Sequence, residues 1–119
     1  MSQGAVILPA LAQMALEQSQ PAIYDRPIGL RLLFQDPATG AEHYLVRYSA
    51  RTAAQPHTHT ASHTIIVLEG RLQANGQILG PGSYCHFPAG LVMHHGPTRD
   101  EDCLFVTIFH GPFDVHPAQ

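Results

Sequence analysis

Between Pro56 and Gly70 the chain reads PHTHTASHTIIVLEG, and this stretch limits the available folds more than any other. Histidines stand at 57, 59 and 63, and the apolar run Thr64-Ile65-Ile66-Val67-Leu68 follows at once. In an extended segment residues i and i+2 share a face, with α-carbons about 6.6–6.8 Å apart. Two imidazoles so placed converge on one ion between and above them. His63 keeps the same parity, and it joins them if the chain stays extended or bends only gently. Imidazole is the commonest neutral metal ligand and suits zinc, copper, iron and nickel. Clustered, same-face histidines are costly unless paired or ligated, so the three together point to a metal. A lone histidine is more often a surface or structural group, and His43, His110 and His116 are read that way.

The rest of the chain is cut into short pieces by ten prolines and ten glycines, which favours strands over long helices. Gly29 to Gln35 reads as a strand. Asp36-Pro37-Ala38-Thr39-Gly40 is a turn signal, and Glu42 to Ser49 alternates as the returning strand of a hairpin. Ala50 to Gln55 connects. After Ile65 to Leu68 and a turn at Glu69-Gly70, Arg71 to Ala74 meets Asn75-Gly76, the strongest short hairpin signal. Gln77 to Leu79 returns. Gly80-Pro81-Gly82 and Pro88-Ala89-Gly90 bracket a strand over Ser83 to Phe87. Leu91 to His95 is short and apolar, Arg99 to Asp102 is a polar loop, and Cys103 to Phe109 is a buried-strand candidate. Short strands spaced this way, without a fixed repeat, mean a β-sandwich or barrel.

At 119 residues the chain is one domain with room for a single core. Hydrophobic residues make up 45% and charged ones only 13%, which argues against disorder. A net charge of −3 supplies no basic stripe for nucleic acid, and no charge run suits a membrane surface. The start, MSQGAVILPALAQMALEQSQ, lacks a basic region and breaks at Pro9. It is a poor secretory signal and too short to span a bilayer, so a cytoplasmic protein is expected. Cys85 and Cys103 are then free thiols. Beyond Pro9 the apolar spacing through Leu11, Met14 and Ala15 predicts a short amphipathic helix that must pack on the core or on a partner subunit. Gln18 to Pro27 reads as a linker, and HGPFDVHPAQ as a loop-like tail. The expected division is a segment and linker over 1–27, a barrel over 28–113 and a tail over 114–119.

These residues resemble the cupin superfamily of small jelly-roll barrels. Its first motif is a His-x-His pair, three spacers, a Glu, six residues and a Gly. Here that is His57-Thr58-His59, then His63 in the place of the glutamate, then Gly70. The second motif is a Gly, five residues, Pro-x-Gly, two residues and a His. Gly82 and Pro88-Ala89-Gly90 match, but Met93 stands where the histidine belongs, with His94 and His95 behind it. Arg51 replaces the glycine that opens the first motif. His95-Gly96-Pro97-Thr98 is similar to the His-Gly-x-Thr region of three-histidine cupin dioxygenases that cleave diketones. The closing segment from Phe105 to Phe113 is loosely similar to that group as well. The resemblance implies an all-β cupin jelly roll, preceded by a short helical or extended segment. It implies metal ligation by His57, His59, His63 and His95, with His94 as the alternative fourth ligand. His63 either completes an all-histidine set or stands aside and leaves three ligands.

Neutral ligands leave the full double charge on a divalent transition ion, whether iron, manganese, nickel or zinc. Such an ion attracts anionic oxygen ligands such as enolates. An open position makes the site an enzyme, dioxygenase-like, with a small-molecule substrate chelating through oxygen. A closed tetrahedral zinc would be structural. The competing readings are a non-catalytic sensing or binding cupin and a metal-free isomerase that uses histidine as acid and base. Tyr84 or His86 are candidate inward-facing pocket residues, and Thr98 and Arg71 candidate polar neighbours of the site. The N-terminal segment on a jelly roll implies a homodimer.

Overall fold

The computed structural model describes residues 4–98 and 100–118. Arg99 of the polar loop, the first three residues of the N-terminal segment and the last residue of the tail lie outside them. In chain order the strands are β1 (Glu17–Ser19), β2 (Ile28–Gln35), β3 (Glu42–Tyr48), β4 (His57–Thr58), β5 (His63–Glu69), β6 (Leu72–Ala74), β7 (Gln77–Leu79), β8 (Tyr84–Phe87), β9 (His95–Pro97), β10 (Cys103–Phe109) and β11 (His116–Pro117). A six-stranded sheet runs β1-β2-β3-β10-β5-β8, a three-stranded sheet runs β7-β6-β9, and β11 pairs with β4. Every pairing is antiparallel. The order is that of an all-β jelly roll whose sheets do not close into one continuous ring.

Period-two alternation builds the core. Along β10, Phe105, Thr107 and Phe109 are buried while Val106 and Ile108 are only half-buried. Phe105 pairs with Val46 on one side and Val67 on the other, so all three point to the same face. The core joins Ile28, Val46, Ile65 and Phe105 from the large sheet to Leu72, Ala74 and Met93 from the opposite layer. The Asn75-Gly76 hairpin forms between β6 and β7, and both turn residues have positive φ, 44° and 85°. Gly70 is required by contact as well as by its φ of 68°: a Cβ there would sit 1.9 Å from the Asp102 carbonyl oxygen. Arg51, which stands where the cupin motif has glycine, keeps the glycine conformation at φ 69°. A non-glycine residue in that conformation is strained.

Besides the tail, which pairs with β4 as β11 instead of staying a loop, the structure departs from the sequence expectations in four places. The helix after Pro9 is a single 3-10 turn, Leu11–Gln13, that buries nothing. A helix so short has no stability of its own, and no apolar surface covers it. The chain instead goes on as β1, the edge strand beside β2. The linker is part of the fold: Ile23 is 3% exposed, and Tyr24 forms a β-bridge with Ala54. Tyr84 and His86 face outward, and their neighbours Cys85 and Phe87 turn inward. Finally, the His57–His63 segment is not one strand. It bends at 60–62, and His63 opens a new strand in the large sheet. Cys85 and Cys103 are free thiols, half-buried and buried. No helix among the described residues is long and apolar enough to cross a membrane.

Candidate metal centre

His57, His59 and His95 bring one ring nitrogen each to within 4.8 Å of one another, and all three side chains are buried. The i, i+2 spacing explains the first two. The β-bridge between His57 and Met93 explains the third, because it carries the start of β9 alongside β4 (His57 N–H to Met93 O, 2.8 Å; Met93 N–H to His57 O, 2.9 Å). The Gly90 N–H holds the His59 carbonyl at 2.9 Å, so the Pro-Ala-Gly turn of the second motif braces the first.

The far side of each ring decides which nitrogen faces the cluster. His57 Nδ1 lies 2.8 Å from the Gln55 carbonyl, and His59 Nδ1 lies 2.5 Å from the Asp114 carbonyl. A carbonyl only accepts, so both Nδ1 atoms carry the proton. The Nε2 lone pairs of His57 and His59 are therefore free, and both atoms are buried with no protein partner. His95 Nδ1 lies 2.7 Å from the Tyr48 hydroxyl, which lies 2.6 Å from the Tyr24 hydroxyl. Run in the same sense, His95 donates to Tyr48 and Tyr48 donates to Tyr24, which frees His95 Nε2 as well. Carbonyl and hydroxyl partners of this kind fix the tautomer of metal-bound histidines.

Burial keeps the cluster neutral. Desolvation lowers the pKa values of His57 and His59. It drives that of His95 well below the ordinary range, with the neighbouring imidazoles pushing the same way. Neutral imidazole is the ligating form, and orphaned, convergent Nε2 atoms are what a transition metal requires. The residues fit a divalent ion.

His63 stands beside this group rather than within it. Its ring is 4.7 Å from that of His59 and 6.5 Å from that of His95, centroid to centroid. It lies nearly flat between Phe109 (4.8 Å) and Phe87 (5.2 Å), its register partners on β10 and β8. Both its nitrogens are buried and unpartnered, and desolvation lowers its pKa to about 3. His94 faces outward, and its backbone N–H bonds the Asn75 side chain at 3.0 Å. Arg71 pairs with Glu101 and Asp100 on the surface, and the Thr98 hydroxyl bonds Asp100, so neither touches the cluster. His43 packs on Phe34, His110 bonds Thr64, and His116 pairs with Asp114.

The cluster opens on a cavity of about 150 Å³. His59, His63 and His95 line one part of it, and Leu30, Val46, Phe105 and Phe113 form apolar walls. Ser19, Pro21, Ile23 and Tyr24 belong to the lining too, so the N-terminal segment forms part of the cavity wall. Sequence reasoning missed Tyr24, Tyr48, Gln55 and Asp114. Only Gln55, two residues from His57, had any local signal.

A family profile described as the ChrR cupin-like domain matches residues 13–114. No curated protein matches significantly. Among solved structures, an acetylacetone dioxygenase from Acinetobacter johnsonii superposes with a TM-score of 0.77 at 17% identity, over 96% of this chain and 78% of that one. The polyketide cyclase RemF from Streptomyces resistomycificus gives 0.75 at 18% identity, over 100% and 86%. The anti-sigma factor ChrR from Rhodobacter sphaeroides, in its complex with SigE, gives 0.60 at 18% identity, over 69% and 44%. At these identities the superpositions establish the shared cupin fold. With the profile spanning most of its length, the chain belongs to the ChrR cupin-like family.

Proposed function

We propose that the protein is a metal-dependent enzyme acting on a small molecule, dioxygenase-like in type, whose substrate chelates the ion through oxygen. One observation carries the reading. Three buried imidazoles bring one ring nitrogen each to within 4.8 Å of one another beside an apolar cavity, and the Nε2 atoms of His57 and His59 have no protein partner. His57, His59 and His95 would hold the ion. A bound divalent transition metal would supply Lewis acidity toward oxygen donors of the substrate. Tyr48 and Tyr24 orient His95, and the Gln55 and Asp114 carbonyls orient the other two rings. His63 adds a neutral, unpaired imidazole to the lining next to His59. The mostly apolar walls give a low local dielectric, which strengthens polar interactions inside.

A second reading is a binding or sensing module that holds metal and ligand without turnover. The family match favours it, because the solved ChrR is an anti-sigma factor. Oxygen uptake separates the two. Iron(II)-loaded protein given pentane-2,4-dione is expected to consume oxygen through many turnovers and to stop when chelator strips the metal. Tight ligand binding with no uptake, for this and other chelating substrates, would favour the sensor.

A further inference from the structure

One polar group in the cavity has no role in holding a metal. Thr107 lines the cavity from β10 at 5% exposure, and its Oγ1 is buried without a protein hydrogen-bond partner. The other buried hydroxyls nearby are engaged. Tyr24 and Tyr48 bond each other, and Tyr44 donates to the Glu42 carboxylate at 2.7 Å. The register neighbours of Thr107 are Ile65, which has no polar side-chain atom, and Tyr44, whose hydroxyl is taken up by Glu42. A buried hydroxyl without a partner costs stability, whereas valine would fill the same space without that penalty.

The position of Thr107 relative to the imidazoles gives the hydroxyl a use. Phe109, two residues on, pairs with His63 and stacks on its ring. Thr107 is thus one inward-facing position from the histidine end, about 6.8 Å along the strand. The lining holds no Lys, Arg, Asp or Glu among the described residues. A charged group away from the ion would be buried there unpaired. An apolar cavity of about 150 Å³ takes a ligand the size of benzene, about six heavy atoms.

We propose that Thr107 is the specificity-determining contact of this cavity, donating a hydrogen bond to a carbonyl-type oxygen of a compact molecule that is apolar apart from its oxygen donors to the ion. This names the substrate class of the site proposed above and rests on that reading only for the ion. A phosphate, ammonium or carboxylate group held away from the ion is excluded by the same lining.

The test uses a matched pair of probes on the full-length, zinc-loaded protein. Pentan-3-one and 2-ethylbut-1-ene have the same shape and differ only in carbonyl against methylene. Titration followed by amide NMR should show the ketone binding about three- to tenfold tighter than the alkene. In Thr107→Val that preference should vanish, and Thr107→Ser should restore it. Thr107→Val should also melt no lower than wild type, since the hydroxyl has no protein partner to lose. Three results would overturn the proposal: an unchanged preference in Thr107→Val, neither probe shifting cavity resonances in wild type, or a Thr107→Val protein clearly less stable. Metal content of the same samples is measured separately. A chain that holds no zinc yet keeps the ketone preference would sink the enzyme reading and leave Thr107 standing.

Discussion

At His95 the ring is governed from behind. Tyr48 is the acceptor that keeps the proton on Nδ1, and its ring also stacks on the imidazole at 5.7 Å. Tyr48→Phe keeps the stacking and removes the acceptor. Metal affinity should then fall roughly 10–100-fold, as for other lost partners of ligating histidines, while the fold stays intact. Competition with a chromophoric chelator measures this, and an unchanged affinity would mean that Tyr48 only packs. The convergence of His57 and His59 was legible in the sequence because i, i+2 spacing is a local geometric fact. The choice of His95 over His94 rested only on the likeness of His95-Gly96-Pro97-Thr98 to a family pattern; its physical cause, the bridge to Met93 and the pairing of β6 with β9, is long-range. Tyr24 and Asp114 were illegible for the same reason: they meet the histidines only after folding, Asp114 from 55 residues beyond His59.

Among the elements, the hairpins were readable because their turns are encoded locally, at Asp36–Gly40 and at Asn75-Gly76. The pairing of β4 with β11 was not, because it joins segments far apart in the chain. That pairing brings the tail across the site and places the Asp114 carbonyl on His59. Deleting residues 114–119 should therefore leave the large sheet folded and weaken metal binding at least tenfold, by loss of the acceptor that fixes the His59 tautomer. Calorimetric titration of the truncated chain checks this, and full affinity would show that the tail is dispensable. The turn between β5 and β6 has a stricter requirement. Gly70→Ala places a Cβ against the Asp102 carbonyl in a left-handed conformation, and it should cost roughly 3 kcal/mol or more in urea unfolding.

For the whole molecule, four buried imidazoles couple stability to pH. Their folded pKa values lie below the ordinary 6.5, down to about 3 for His63. The unfolded chain takes up protons below pH 6.5 that the folded chain refuses. Stability is therefore fully present above that value and falls as pH drops through the window towards 3. The metal-free protein should melt several degrees lower at pH 5 than at pH 7.5, and a flat profile would mean the rings are not desolvated. The extended N-terminal arm leaves Val6 and Ile7 exposed at 55% and 79%, which is unusual for adjacent apolar residues. A homodimer that covers them is expected in sedimentation, and a clean monomer would contradict it. The central claim is that His57, His59 and His95 form a metal centre, and elemental analysis of untagged protein tests it most directly. Wild type and His94→Ala should each hold one equivalent of a divalent transition metal, and His95→Ala should lose it. A wild type that binds no metal after reconstitution, or a His95→Ala that keeps its ion, would contradict the claim.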